Sequence, residues 1–208
     1  MAKKKGPNSR SQPDYFSLKA KKEGYPARSV YKLEEIQQKF TIIRPGNSVL
    51  DIGAAPGSWT LFTHQKLLKG KGRIVSVDLK PLSLNPIPEN VTVFTGDAFT
   101  SEMLKNLGDL GPYDAIISDA APSTTGARTV DCIRSQNLAE AIISIVPTHL
   151  KTGGNLVIKI FQGGGEQEIL FAMKKMFAKV KTFKPKACRN DSFELFLIGN
   201  IKNDTIKE

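Results

Sequence analysis

A chain of 208 residues with 40% apolar side chains can bury one core of ordinary size but lacks the length for two large domains. No apolar run approaches the roughly 20 residues that cross a bilayer, and the basic, polar start is not followed by the apolar stretch of a secretion signal, so a cytoplasmic protein without membrane attachment is expected. The formal charge of +10 favours a polyanionic partner.

Residues 1–13 mix Lys, Gly, Pro, Ser and Asn without periodicity and are expected to be a flexible basic tail. The remainder, 14–208, is expected to form a single domain. From 14 to 40 the pattern is helical, with Val30, Leu33, Ile36, Gln37 and Phe40 at three-to-four spacing. Arg44-Pro45-Gly46-Asn47 ends that segment. Strand and helix then alternate: strand at 48–52, helix at 59–68, strands at 73–78 and 91–94, helix at 101–107. A strand at 113–118, a long helix at 131–150, a strand at 155–161 and a helix at 166–177 follow. Two closing strands, 179–184 and 192–200, have no helix between them. This order predicts an α/β fold, a mostly parallel sheet with helices on both faces and an antiparallel last strand.

The charge is unevenly spread. Residues 1–44 hold eleven Lys or Arg against four acids. Lys174, Lys175, Lys179, Lys181, Lys184, Lys186 and Arg189 form a second basic run. Two such segments suit phosphates lying across a site mouth, if the fold brings them together. Cys132 and Cys188 lie far apart in no metal-ligand spacing and are expected as reduced thiols. His64 and His149 lack a matching carboxylate or cysteine pattern, so no metal is expected.

The segment Val49-Leu50-Asp51-Ile52-Gly53-Ala54-Ala55-Pro56-Gly57-Ser58-Trp59 runs an apolar strand into small residues and then a helix. Small side chains let a ligand approach the backbone, and the helix start offers free N–H groups. The spacing is not the G-x-G-x-x-G that cradles a pyrophosphate, which disfavours a nicotinamide dinucleotide. Asp78 ends the next strand, where a carboxylate can accept both hydroxyls of an adenosine ribose. Asp97, after the third strand, is placed to accept from an adenine amine, with Ala98 or Phe99 near the ring. Taken singly, either aspartate can instead cap a turn or helix. Together, in the order loop, Asp78, Asp97, they describe an adenosine bound across the strand ends, with Trp59 either lining that pocket or in the core.

Asp119 follows the fourth strand in Ser118-Asp119-Ala120-Ala121-Pro122. Lys159 interrupts Leu156-Val157-Ile158-Lys159-Ile160-Phe161, where a lysine is costly to bury. Glu194 in Phe193-Glu194-Leu195-Phe196-Leu197-Ile198 poses a weaker version of that problem, because an edge strand can point it outward. With these segments, and with Tyr25-Pro26-Ala27-Arg28-Ser29-Val30-Tyr31-Lys32-Leu33 and Gly153-Gly154-Asn155 added, nearly the whole chain resembles the FtsJ family of ribosomal-RNA ribose 2'-O-methyltransferases. The resemblance implies a Rossmann-like class I methyltransferase fold with a seven-stranded sheet. It implies S-adenosyl-L-methionine as cofactor, a catalytic tetrad at Lys32, Asp119, Lys159 and Glu194, and cofactor contacts at Gly57, Trp59, Asp78, Asp97 and Asp119. Ser58 stands where the family's loop often carries a second glycine before the tryptophan.

For such a reaction a ribose hydroxyl must lose its proton, and Lys159 is the expected base. Lysine in water stays charged, with a pKa of about 10.4. Desolvation, nearby Lys32 and a cationic sulfonium favour the free amine, whereas Asp119 and Glu194 oppose it. Cofactor binding is therefore expected to release the proton. The resemblance points to a uridine of large-subunit ribosomal RNA in the peptidyl-transferase region, with ribosomal RNA or the large subunit as partner and a monomer as the default state. A transfer RNA, an mRNA cap, or a role as a non-catalytic assembly factor are the alternatives.

Overall fold

The computed structural model describes residues 14–189 and 191–204; the expected basic tail at 1–13 lies outside them. The alternation yields β1 (Ser48–Ile52), β2 (Arg73–Asp78), β3 (Val91–Thr95), β4 (Tyr113–Ser118), β5 (Leu150–Phe161), β6 (Phe177–Phe183) and β7 (Glu194–Lys202). They form one sheet in the order β3-β2-β1-β4-β5-β7-β6. The pairs from β3 through β5 are parallel, and β7 runs antiparallel between β5 and β6. The seven strands, the parallel majority and the antiparallel last strand match the expectation. β7 inserts between β5 and β6, so β6 becomes the sheet edge.

Side chains alternate across a strand, and two apolar cores divide along that parity. Val49, Ile74, Ala115, Ile117, Val157, Phe196 and Ile198 face one core, with α1 (Tyr15–Lys22), α2 (Val30–Phe40) and α3 (Ser58–Phe62) supplying its cover. Leu50, Val75, Ile116, Leu156, Ile158 and Leu197 face the other, under α4 (Ser101–Asp109), α5 (Arg128–His149) and α6 (Glu166–Met176). Lys159 shares the parity of Val157, and Glu194 that of Phe196 and Ile198. Both therefore project toward the face covered by α2, the helix that carries Lys32.

The helical stretch at 14–40 is two helices. Asp14 caps α1 by accepting from Ser17 N at 2.9 Å. The chain then turns through Gly24 at φ +79°, and Pro26, which has no N–H to donate, cannot continue the helix. The helix expected at 59–68 is α-helical only over α3; Thr63–Leu68 is a wider π turn ended by Lys69 at φ 51°. β5 begins at Leu150, earlier than expected, because α5 runs straight into it. Lys202 Nζ, from the end of β7, donates to Pro147 O at 3.0 Å and Leu150 O at 2.7 Å, taking carbonyls that the helix end leaves without partners.

Candidate active site

The C-terminal ends of β1 to β4 surround a cleft of about 530 Å³, lined among others by Gly53, Asp78, Asp97, Phe99, Asp119 and Pro122. Its shape follows from small residues at the crossover loops. Gly53 has φ +75°, and a Cβ there would fall 2.4 Å from Ala120 Cβ, so only glycine lets the loop after β1 close on the loop after β4. Both oxygens of Asp78 already accept backbone N–H groups, Oδ2 from Ala55 and Oδ1 from Lys80, each at 2.9 Å. Carboxylate oxygens carry about four lone-pair sites. Asp78 is thus held in orientation with acceptor capacity to spare for two hydroxyls. Asp97 accepts from Phe99 N at 3.0 Å through Oδ1, which draws Phe99 to the cleft. Leu79, Ala98 and Leu138 complete apolar walls. Two carboxylates at the strand ends, small residues beside them and apolar walls fit an adenosine-bearing cofactor.

Gly57 and Trp59 do not line this cleft among the described residues. Gly57, at φ +111°, starts α3, and a Cβ there would strike Leu84 Cγ at 2.7 Å. Trp59 is buried in the core under α2, where its ring lies against Phe196 and its Nε1 donates to Ser29 O at 2.8 Å. Of its two sequence readings, the structure places it as core. Ser58, the departure from the family's glycine, is buried and its Oγ accepts from Ala27 N at 2.7 Å, so the substitution ties the loop to the segment leading into α2.

The four predicted catalytic residues converge. Asp119 Oδ1 accepts from Lys159 Nζ at 2.9 Å and lies 3.5 Å from Lys32 Nζ; Lys159 also donates to the Asp119 carbonyl. Lys32 Nζ donates to Glu194 Oε2 at 2.8 Å. The result is a continuous chain, Lys159, Asp119, Lys32, Glu194, drawn from β5, the end of β4, α2 and β7. Burial pushes the Lys32 pKa down, but the Asp119 and Glu194 carboxylates and the Glu194 hydrogen bond outweigh it, leaving a net rise. For Glu194, burial pushes upward and the charge and hydrogen bond of Lys32, aided by Lys159, bring it below the ordinary value. This pair stays ionised. Cys188, buried beside Glu194, has its thiol pushed up to about 12 by burial and then by the carboxylate, so it is a neutral neighbour and no nucleophile.

A second cleft, about 390 Å³, opens on the other side of this group. Lys32, Lys159, Glu194, Arg28, Arg189 and Phe193 are in its walls. Asp119 lines the first cleft, and its lysine partners line the second. Of the two basic segments, the first contributes Arg28 and Lys32 here and the second only Arg189. β6 runs parallel to β5, so Lys174 and Lys175 lie toward the opposite end of the sheet.

Sequence reasoning missed Asp51. It sits in β1, 1% exposed, on the same face as Lys159. Its Oδ2 accepts from Thr60 Oγ1 at 2.8 Å, that hydroxyl lies 2.9 Å from Ser76 Oγ, and Oδ1 has no hydrogen-bond partner. Burial, opposed by the Thr60 hydrogen bond and reinforced by Asp119 and Asp78, pushes its pKa up to about 7. The signal that picked out Lys159, a charge inside an apolar run, was equally present in Val49-Leu50-Asp51-Ile52.

The family model FtsJ-like methyltransferase matches residues 25–202. Ribosomal RNA large subunit methyltransferase E of Treponema denticola is 51% identical over 192 residues, 92% of this chain and 96% of that protein. A solved structure from Plasmodium falciparum, described as a ribosomal RNA methyltransferase, superposes with a TM-score of 0.76 at 27% identity, covering 88% of this chain and all of the other. Human Methyltransferase-like protein 13, solved in complex with SAH, shares the fold, with a TM-score of 0.58 at 17% identity over 86% of this chain and 81% of that one.

Proposed function

The chain belongs to the FtsJ-like methyltransferase family and is a methyltransferase; from that premise we propose that it methylates a ribose 2'-hydroxyl, of a uridine in large-subunit ribosomal RNA, in the cytoplasm. The observation that carries the reading is the chain of four charges joining two clefts, with Asp119 at the wall between them. S-adenosyl-L-methionine, held in the first cleft by Asp78 and Asp97, would supply a sulfonium-activated methyl group to an oxygen nucleophile.

The residues of the chain do the rest. Asp78 and Asp97 hold the adenosine end by accepting from its hydroxyls and amine. Lys159 in its free-amine form takes the proton of the hydroxyl at Nζ, and the ammonium so formed is held by Asp119 Oδ1 and the Asp119 carbonyl. Lys32 keeps the Asp119 carboxylate turned toward Lys159 and is itself fixed by Glu194. The four side chains are largely shielded from water, which strengthens each charged contact. Gly53 and the small residues after β4 keep the route between the clefts short.

The test is transfer of labelled methyl from S-adenosyl-L-methionine to large subunits from cells lacking the protein, with the modified position mapped. Lys159→Ala is expected to lower transfer by about 10³-fold, within the range for loss of a general base, with cofactor affinity nearly unchanged. Unaltered transfer by Lys159→Ala removes the residue from this role. Label on a base instead of a ribose refutes the 2'-hydroxyl as acceptor.

A further inference from the structure

The second cleft has one feature that proton transfer does not use. Phe193 is half-buried in its wall, beside Lys159 and Glu194, and three contacts fix it. Its carbonyl accepts from Gln162 N at 2.8 Å, which extends the β5 and β7 pairing by one residue. Its ring packs against Phe161 with centroids 4.7 Å apart. The Arg128 guanidinium, whose Nη2 reaches Gln162 O at 3.3 Å, lies 5.2 Å from the ring centroid. An aromatic ring at the mouth of a polar cleft, tied down by an arginine and a second aromatic, is pre-organised where an ordinary loop phenylalanine would move.

An RNA acceptor brings chemistry to match. Delivering a ribose to a partly enclosed group requires the nucleotide to leave its own stack, which costs a few kcal/mol. The extruded base then needs another π face, and aromatic side chains supply about 1–3 kcal/mol per base by stacking. The remaining walls offer Arg28 and Arg189, which suit phosphates, and beside the small Ala27 and Ala187 leave Phe161 and Phe193 as the aromatic surface of the cleft. We propose that Phe193, backed by Phe161 and Arg128, is the platform on which the acceptor base stacks, and so the residue that positions the ribose hydroxyl over Lys159. This rests on the reading of the site as an RNA 2'-hydroxyl methyltransferase and adds a binding residue to it. Glu194, the first residue of β7, follows Phe193 directly, so the platform is joined to the catalytic group without an intervening residue.

The experiment compares Phe193→Ala, Phe193→Leu and Phe193→Trp in the full chain, with large subunits lacking the methyl group as substrate. KM for the subunit, kcat, S-adenosyl-L-methionine affinity by calorimetry and thermal midpoint are measured together. Phe193→Ala and Phe193→Leu are expected to raise KM about tenfold, in line with the stacking range, with cofactor affinity unchanged and Phe193→Trp restoring KM. Leucine keeps apolar packing on Phe161, so it separates stacking from folding. A KM for Phe193→Leu equal to that of the unaltered chain or of Phe193→Trp overturns the proposal, as does a loss confined to kcat. Failure of the underlying reading shows differently: the unaltered chain itself places no methyl on a ribose.

Discussion

The two clefts meet at Asp119 yet are made in different ways. The cofactor cleft is built from loops after strands, with small residues, backbone N–H groups and carboxylates that are already oriented. The acceptor cleft is built from charges planted on regular elements, Lys32 on α2, Lys159 on β5 and Glu194 on β7. Loops after parallel strands are where such folds ordinarily bind nucleotides, and they can vary without disturbing the core. Charges inside strands and helices cannot. A lysine buried under a helix is tolerated only while its carboxylates are present, so the chemistry is bound to the fold far more tightly than cofactor recognition is.

Asp119 belongs to both clefts, so its loss should have the widest effect. Asp119→Ala is expected to lower transfer by about 10⁴-fold, at the upper end of acid–base contributions, and, unlike Lys159→Ala, to weaken cofactor binding as well. Calorimetry with the cofactor alone checks this, and unchanged affinity would place Asp119 wholly on the acceptor side. Next is Lys32→Met, which leaves Glu194 buried without its cation and should destabilise the chain by about 3–5 kcal/mol. Lys32→Met with Glu194→Leu should recover most of that stability in urea denaturation while transfer stays lost. No recovery would mean that Lys32 packs the core and does more than balance a charge.

The third test concerns Asp51, behind the cofactor loop. Its folded pKa of about 7 is above the unfolded value of about 3.9, so the folded chain holds a proton that the unfolded chain releases. Stability should fall as pH rises from about 4 to 7, by up to about 4 kcal/mol, and level off above that. Asp51→Asn should flatten this slope in denaturation measured across the range; an unchanged slope assigns it to another group. The smallest effect is expected from Trp59→Phe, which removes the bond to Ser29 O and should lower stability by about 1 kcal/mol without changing cofactor affinity. A loss of affinity would return Trp59 to the cofactor site.

Much of this contrast could be read from residue order. The small-residue loop, the aspartates at the ends of β2 and β3, and the charge inside β5 each break a local pattern, and a broken pattern is visible in one dimension. The side of the sheet a charge takes is not. Strands buried on both faces read as continuous apolar runs, so the shared parity of Lys159, Glu194 and Asp51 emerges only once register and helix cover are known. Lys32 was harder still: on α2 it looks like one of many surface lysines, and it was found through the family pattern, not through periodicity. Trp59 shows the reverse limit, because a tryptophan beside a cofactor loop has the same sequence context whether it faces the ligand or the core. The break at Gly24 and Pro26 was open to inspection, but the apolar spacing on either side of it masked it.

The bond between Lys32 and Glu194 spans 162 positions of sequence. Synthesis proceeds from the N-terminus, so Lys32 emerges early and Glu194 only with the last strand of the sheet. Until then Lys32 has only the more distant of its two carboxylates, Asp119 at 3.5 Å, and lacks the shorter bond that closes the group. The Lys32–Glu194 contact can therefore form only once β7 lies between β5 and β6, which ties the completion of this charge group to the completion of the sheet.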